Sequence, residues 1–446
     1  MAKLEQVIKR SGAIVPFKRE RVINAIYRSA VSVGGRDKQT AEWLADQVIK
    51  MLENGRAENY IPTIEDIQDV VEKVLIENGH AKVSKAFILY RDEQKKKRET
   101  SSRIASKKSD NVPWQKIWYS LDWAVSRNLH TVDNLNQRIR NGEFPQIVHQ
   151  AEARYNDDIA LAAEIIKEKA NDIKLVFVSG PSSSGKTTTT LKLEKHLKNI
   201  GLKFVALEVD HYFYDLELHP KDEFGDYDFE TPQALDIELI NEHLTKLCNG
   251  EEVMLPFYDF KTGTRHLNQK SLQLKEGEIL LLDSLHGLYP PMSAGISDNN
   301  KFKIYIEPLL QMKGIDGEYV HWTDLRLIRR MLRDAAHRAY NPKQTLEHWH
   351  YVRASELRHI IPYNNTTDFT INSGMAYELP LYKHLMFDKF KEWIELYKDD
   401  PLKTDAYERA SRIYKLLDSI LPVEDDSPVP HDSVMREFIG GSSIVH

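Results

Sequence analysis

Residues 174–191 read KLVFVSGPSSSGKTTTTL, and the fold is decided there. Leu175, Val176, Phe177 and Val178 form an apolar strand that runs into Gly180-Pro181-Ser182-Ser183-Ser184-Gly185-Lys186-Thr187, a fit to G-x-x-x-x-G-K-[ST]. A helix follows, with Leu193, Leu197 and Ile200 at i, i+4, i+7 and Gly201 placed to end it. Glycines let backbone N–H groups turn inward around a phosphate, and the helix N-terminus adds a favourable dipole. Lys186 then reaches the outer phosphates, and the Thr187 hydroxyl can ligate magnesium. A Gly/Ser surface turn would also contain these residue types, but not strand, loop and helix in this order. The segment Gly180 to Thr188 is therefore the expected site for a nucleoside triphosphate.

At 446 residues the chain is long enough for two or three domains. Composition is that of a soluble globular protein: 41% hydrophobic, 29% charged, with no apolar run long enough for a bilayer. The opening MAKLEQVIKRSG lacks the apolar core of a secretory signal. The single cysteine, Cys248, excludes an internal disulfide framework and a cysteine metal cluster, and fits the reducing cytoplasm. It lies in an amphipathic pattern with Leu239, Ile240, Leu244 and Leu247, so a core position is expected. A net charge of −6 argues against general nucleic-acid binding, and Lys95-Lys96-Lys97-Arg98 reads as the solvated end of a helix. Neither nucleic acid nor membrane is an expected partner.

Residues 1–95 read as a first unit. Leu4–Lys9 and Ala13–Phe17 flank Ser11-Gly12 as a hairpin, followed by amphipathic helices over Arg19–Val33 and Thr40–Leu52. A third helix starts after Pro62 with Thr63 as N-cap and runs to Gly79, and a fourth spans Val83 to about Lys97. This unit resembles the ATP-cone, a small regulatory nucleotide-binding domain, on Val7-Ile8-Lys9-Arg10-Ser11-Gly12, the helix from Arg19, and Ala86-Phe87-x-x-Tyr90-Arg91. The resemblance implies that Lys9 and Arg10 contact phosphates of a regulatory ATP or dATP. Two cations beside a tight turn suit a polyphosphate. A cone retained for packing or homo-oligomer formation is the alternative. Residues 96–172 read as a polar linker and a helical connector, including Ile159, Ala162, Ala163 and Ile166.

Beyond Gly201, Phe204–Val209 is a second buried strand ending at Asp210-His211-Tyr212-Phe213. A carboxylate at the carboxyl end of a strand beside the phosphate loop can take a proton from an attacking hydroxyl, or hold magnesium through water. A turn aspartate is the plainer alternative. Glu278–Asp283 is a third apolar strand ending in a carboxylate, placed for the metal. Arg326, Arg330 and Arg333 share one helix face with Arg329 next to it; Leu325, Ile328 and Leu332 take the other side. Such a run is either a solvated face or a phosphate-clamping lid, and the lid is the expectation. His348 and His350, at i, i+2, do not share a helix face and make no metal pair.

These pieces resemble the uridine kinase/phosphoribulokinase family of P-loop kinases over residues 173–390. The resemblance implies an α/β fold, a three-layer P-loop core with a mostly parallel sheet, using ATP with Mg2+ on a small-molecule hydroxyl, a nucleoside foremost. It implies Asp210 as general base, with Glu230, in Tyr227-Asp-Phe-Glu230, on ribose hydroxyls. It also implies Tyr258, in Leu255-Pro-Phe-Tyr258, by the base, Arg330 on ribose, and Arg333 and Arg338 on ATP phosphates. Thr187 and Asp283 would manage the metal. The chain departs from uridine kinases at Glu230, where they carry aspartate, at Gly263, where they carry a histidine, and at Tyr340, a lid-arginine position. Asp283-Ser-Leu285-His286-Gly287 looks more like the phosphoribulokinase Glu-Gly-Leu-His-Gly. A sugar-phosphate kinase and a non-catalytic nucleotide sensor are the two rival readings. The remaining residues, 391–446, read as helices and an acidic tail, whose Phe438-Ile439 beside Gly440-Gly441 suits a docked segment, either near the active site or simply packed.

Overall fold

A computed structural model of the protein describes residues 4–8, 14–54, 61–91, 111–221, 227–337 and 341–444. The chain divides into two compact units, residues 1–109 with 399–404, and residues 110–398 with 405–446.

In the first unit β1 (Gln6–Ile8) pairs antiparallel with β2 (Ile14–Pro16), Val7 opposite Val15, as the alternating pattern predicts. The turn carrying Lys9 and Arg10 lies outside the described residues. Helices α1 (Arg19–Val31), α2 (Lys38–Glu53), α3 (Ile64–Glu77) and α4 (residues 81–91) close a core around Val22, Ile26, Leu44, Val48, Val74, Leu75 and Phe87. Thr63 begins α3 as expected. Its hydroxyl accepts from the Asp66 N–H at 3.1 Å while the Asp66 carboxylate accepts from the Thr63 N–H at 2.8 Å. This reciprocal box is worth about 1 kcal/mol.

The second unit is built on five parallel strands: β3 (Leu175–Ser179), β4 (Lys203–Glu208), β7 (Glu278–Ser284), β8 (Lys301–Glu307) and β9 (Phe369–Asn372). Their order is β4-β7-β3-β8-β9. An antiparallel hairpin, β5 (Val253–Asp259) with β6 (Thr264–Leu272), stands outside this sheet. The period of two splits the apolar residues between faces. Val176 and Val178 of β3 and Phe302 and Ile304 of β8 enter one core, while Leu175, Phe177, Leu280 and Leu282 enter the other.

The first face is covered by α7 (Phe144–Glu168), α8 (Lys186–Asn199), α10 (Trp322–His337), α11 (Pro342–His359), α12 (Glu378–Tyr397) and α13 (Thr404–Asp418). The second is covered by α9 (Ile237–Cys248) and the hairpin. The stretch read as connector thus splits. Helices α5 (Trp114–Ser126), α6 (Val132–Arg140) and α7 belong to the sheet's own unit, and Ile159, Ala162 and Ile166 are buried in its core. Cys248 ends α9 half-buried, and burial pushes its thiol up to about 11, so it stays protonated. No helix among the described residues is long and apolar enough to cross a membrane.

Connections leave β3 outward to β4 and return through β7 before crossing to β8, so the order reverses at β3. In open parallel sheets that reversal opens a crevice at the carboxyl ends of the strands. The phosphate loop and Asp283 both sit there.

Candidate active site

The chain leaves β3 at Ser179, turns through Gly180–Gly185 and starts α8 at Lys186. The turn is braced from within and from outside. The Ser184 N–H donates to Pro181 O at 3.2 Å, Ser373 Oγ donates to Ser184 O at 2.5 Å, and Arg326 donates to Ser182 O at 3.1 Å. Gly185 has φ +89°, and a Cβ there would lie 2.3 Å from Val434 Cγ2, so glycine is required twice over. Thr189 Oγ1 lies 2.6 Å from both Gly185 O and the Tyr155 hydroxyl, pinning the first turn of α8 to α7. The Lys186 ammonium makes a long 3.5 Å contact with Pro181 O, which a phosphate oxygen would readily replace.

Asp283 lies opposite Val178 of β3 and opposite Glu208 of β4, which sets its carboxylate beside the loop. Asp210 follows β4 directly, exposed in the short 3-10 turn Val209–Tyr212. Burial pushes the Asp283 carboxyl up to about 6, Asp210 and Glu437 add to the rise, and Lys186 and a hydrogen bond from Thr187 oppose it. By surface area Asp283 is only half-buried, but protein surrounds it closely, and the direction follows from that crowding. A hydroxyl and carboxylates with surplus negative charge suit a hard divalent cation, with phosphate oxygens or water completing its shell. Among the described residues no three His, Cys, Asp or Glu side chains form a metal cluster by themselves.

The arginine helix α10 serves two purposes. Arg326 and Arg329 are fully buried. Arg326 donates to both carboxylate oxygens of Glu356, and Arg329 donates to Glu378 at 2.9 and 3.1 Å and to Ser373 O at 2.8 Å. The reading of Arg326 as part of a phosphate-facing stripe is corrected here. A buried guanidinium needs a paired carboxylate, and α11 and α12 provide one for each. Arg330 does face the site: it donates to the Glu230 carboxylate and, at 3.0 Å, to Ser182 Oγ. Burial would raise the Glu230 carboxyl, but the charge and hydrogen bond of Arg330 outweigh it and hold it below the usual range. Arg333 Nη1 lies 3.7 Å from Glu437 Oε1.

His211, the neighbour of Asp210 in the turn, joins a largely buried aromatic wall. The Tyr258 N–H donates to His211 Nδ1 at 3.3 Å, tying β5 to the turn that carries Asp210. The Tyr258 ring lies 4.9 Å from Phe260 and 5.6 Å from Phe213, and stacks on His219 at 6.2 Å. Gly263, where uridine kinases carry a histidine, has φ +69°, and a Cβ there would lie 2.8 Å from Leu216 Cβ. A side chain at this position would be both strained and obstructed.

Residues 5–96 match the ATP cone domain, and residues 175–379 match the Phosphoribulokinase / Uridine kinase family. The chain joins an ATP-cone domain to a kinase domain of the phosphoribulokinase/uridine kinase family. It is similar to a uridine kinase of Oceanobacillus iheyensis, 27% identical over 201 residues, which are 45% of this chain and 86% of that protein. It is also similar to a uridine kinase of Anoxybacillus flavithermus, 28% identical over 45% of this chain and 86% of that protein. Among solved structures, that of a possible uridine kinase from Bacillus stearothermophilus shares 19% identity, over 33% of this chain and 79% of that one, with a TM-score of 0.29.

Within the kinase domain the structure brings Lys186, Thr187, Asp210 and Asp283 into one electrostatic cluster, and joins Glu230, Arg330 and Ser182 in another. Tyr258 belongs to the aromatic wall, one element away. Arg338 and Tyr340, like Lys9 and Arg10, lie outside the described residues. Sequence reading missed Glu356, Glu378 and Glu437. The carboxylates that neutralise α10 are distant in the chain, and no spacing rule reaches them. His286 is buried beside Glu230, and burial pushes its imidazole down to about 3, so it is neutral at neutral pH.

The Asp283 shift has a measurable consequence. Its folded value, about 6, exceeds the unfolded 3.8, so the native state binds the extra proton between them. Stability from this group is full below the lower value and is lost as pH rises through about 6. Asp283→Asn is therefore expected to remove part of the drop in melting temperature of metal-free protein between about pH 5 and about pH 7.5. Magnesium should restore it in the wild type alone at the higher pH. Parallel melts of the two proteins check both points.

Proposed function

We propose that this kinase transfers the γ-phosphoryl of Mg-ATP to the 5'-hydroxyl of a nucleoside, uridine- or cytidine-like, under control of nucleotide at its ATP-cone. The observation that carries the reading is the attachment of the Asp210 turn to the aromatic wall of Tyr258, Phe213 and Phe260. Tyr258 and Phe213 are buried and Phe260 stands exposed in front of them. A planar base held against Phe260 would therefore lie beside the Asp210 turn, with the Glu230–Arg330 pair as the ribose partner. Asp210 would take the proton from the attacking hydroxyl. Lys186 and the loop N–H groups would hold the phosphates, and Arg333 and Arg338 would close over them. Thr187 and Asp283 would hold magnesium, which supplies neutralisation of phosphate charge.

A sugar-phosphate kinase of phosphoribulokinase type is favoured by Leu285-His286-Gly287. His286, held neutral, nevertheless brings no positive charge for a second phosphate. The test is ADP release with Mg-ATP across pyrimidine and purine nucleosides and ribulose 5-phosphate. Turnover confined to nucleosides supports the proposal; turnover with the sugar phosphate alone moves the protein to the rival branch. Silence throughout makes a sensor, or an acceptor outside the panel, the leading reading. For the cone, Lys9→Ala/Arg10→Ala is expected to remove one bound nucleotide per chain in equilibrium titration. Unchanged stoichiometry would leave the cone a packing or oligomerisation module.

A further inference from the structure

The kinase domain's phosphate loop is covered by a segment from the far end of the chain. Ser433, Val434 and Met435 are completely buried and Phe438 nearly so. Ser433 Oγ donates to the buried Glu152 of α7 and lies 3.0 Å from the Tyr377 hydroxyl. Asp432 pairs with Lys192 of α8 at 3.3 Å, and the Arg329 guanidinium lies 5.1 Å from the Phe438 ring centre. Val434 closes on Gly185. Arg436 folds the segment on itself, donating to Asp426 O and Val429 O, both at 2.8 Å. These anchors fix the position of the next side chain, Glu437.

Its carboxylate is nearly buried. Oε2 accepts from the Thr188 hydroxyl at 2.8 Å, and Oε1 faces Arg333 Nη1 at 3.7 Å. Thr188 is the third residue of α8, within the turn whose N–H groups lack helical partners and draw anions. Arg333 is the described arginine that the resemblance assigns to nucleotide phosphates. One donor and one cation suited to a polyphosphate are thus already engaged by a carboxylate from the same chain. The negative charge of Glu437 also reaches Asp283.

We propose that Glu437 is an intramolecular competitor for the nucleotide: its carboxylate occupies part of the phosphate site between Thr188 and Arg333, and ATP must displace it to bind. The idea rests on the phosphate loop being the nucleotide site. Glu437 lies outside the matched family segment, so the device belongs to the appended tail. Two anions a few ångströms apart in a partly desolvated site repel strongly, and removing the protein's charge should tighten ATP binding about tenfold.

The experiment uses the full chain, wild type, Glu437→Gln and Glu437→Ser, with ATP titrated calorimetrically. Backbone hydrogen exchange of residues 427–441 is followed with and without ATP. The expected result is a Kd lowered about tenfold in both variants at the site that Lys186→Ala abolishes, and faster exchange across 433–439 when ATP binds the wild type. ATP binding by the variants alone would be the same effect in extreme form. A Kd unchanged or raised in both variants, with the segment protected by ATP, would overturn the proposal and make Glu437 a fixed wall of the site. Lys186→Ala separates the two ideas. An ATP stoichiometry unchanged by it would overturn the phosphate-loop reading itself, whatever Glu437 does, whereas loss of one site leaves only the nucleotide expected at the cone.

Discussion

Asp210→Asn should lower kcat by about 10²–10⁴-fold, the range for loss of a positioned general base, while ATP binding survives. The substitution is nearly isosteric at an exposed position in a short turn, so the melting temperature should barely move. Phosphoryl transfer owes most of its acceleration to positioning and charge neutralisation, which Lys186, Thr187 and the loop retain in the variant. The variant should therefore keep the residual catalysis that these groups provide. A second readout separates the base from a mere turn residue. Asp210 is one of the charges that raise Asp283, so its removal should lower that carboxyl from about 6 and extend magnesium binding to lower pH. A kcat within about tenfold of wild type would rule out Asp210 as the base.

The contrast between Asp210 and Arg326 shows how far the sequence could be read. Strand, loop, helix and the two strand-end carboxylates are local patterns. The continuous apolar runs of β3 and β7 and the glycine-bounded turn specify their own geometry, and Asp283 falls beside Thr187 once the strands pair. Helical periodicity put Arg326 and Arg330 on one face correctly. It could not show what covers that face, because Glu356 lies 30 residues beyond Arg326 and comes from another helix. The same limit explains α7. Its apolar stripe predicts burial, but only tertiary structure shows that the stripe packs into the core of the kinase sheet. The tail is the extreme case. Phe438 and the paired glycines suggest docking, but Glu437 meets Thr188 across 249 residues.

Glu378→Ala is expected to destabilise the kinase domain by about 3–5 kcal/mol, the penalty for stranding a buried charge. Arg329 and Glu378 are both fully buried, and Glu378 also accepts from the Tyr382 hydroxyl at 2.7 Å and the Met375 N–H at 2.9 Å. Removing the carboxylate leaves these donors and a guanidinium without their acceptor in a site that water cannot readily enter. The pair itself adds far less than its rupture removes. The double variant Arg329→Met/Glu378→Leu should recover much of the loss, and urea unfolding of both singles and the double gives the coupling directly. The damage should extend to the phosphate loop. Arg329 holds Ser373 O, and Ser373 Oγ holds Ser184 O. The double variant, even when folded, should therefore bind ATP more weakly than the wild type. A single-variant loss under about 1 kcal/mol would mean that the pair is solvated in solution. Recovery of stability with ATP affinity intact would show that the loop holds its shape without α10. The ion pair would then stabilise the fold without shaping the site.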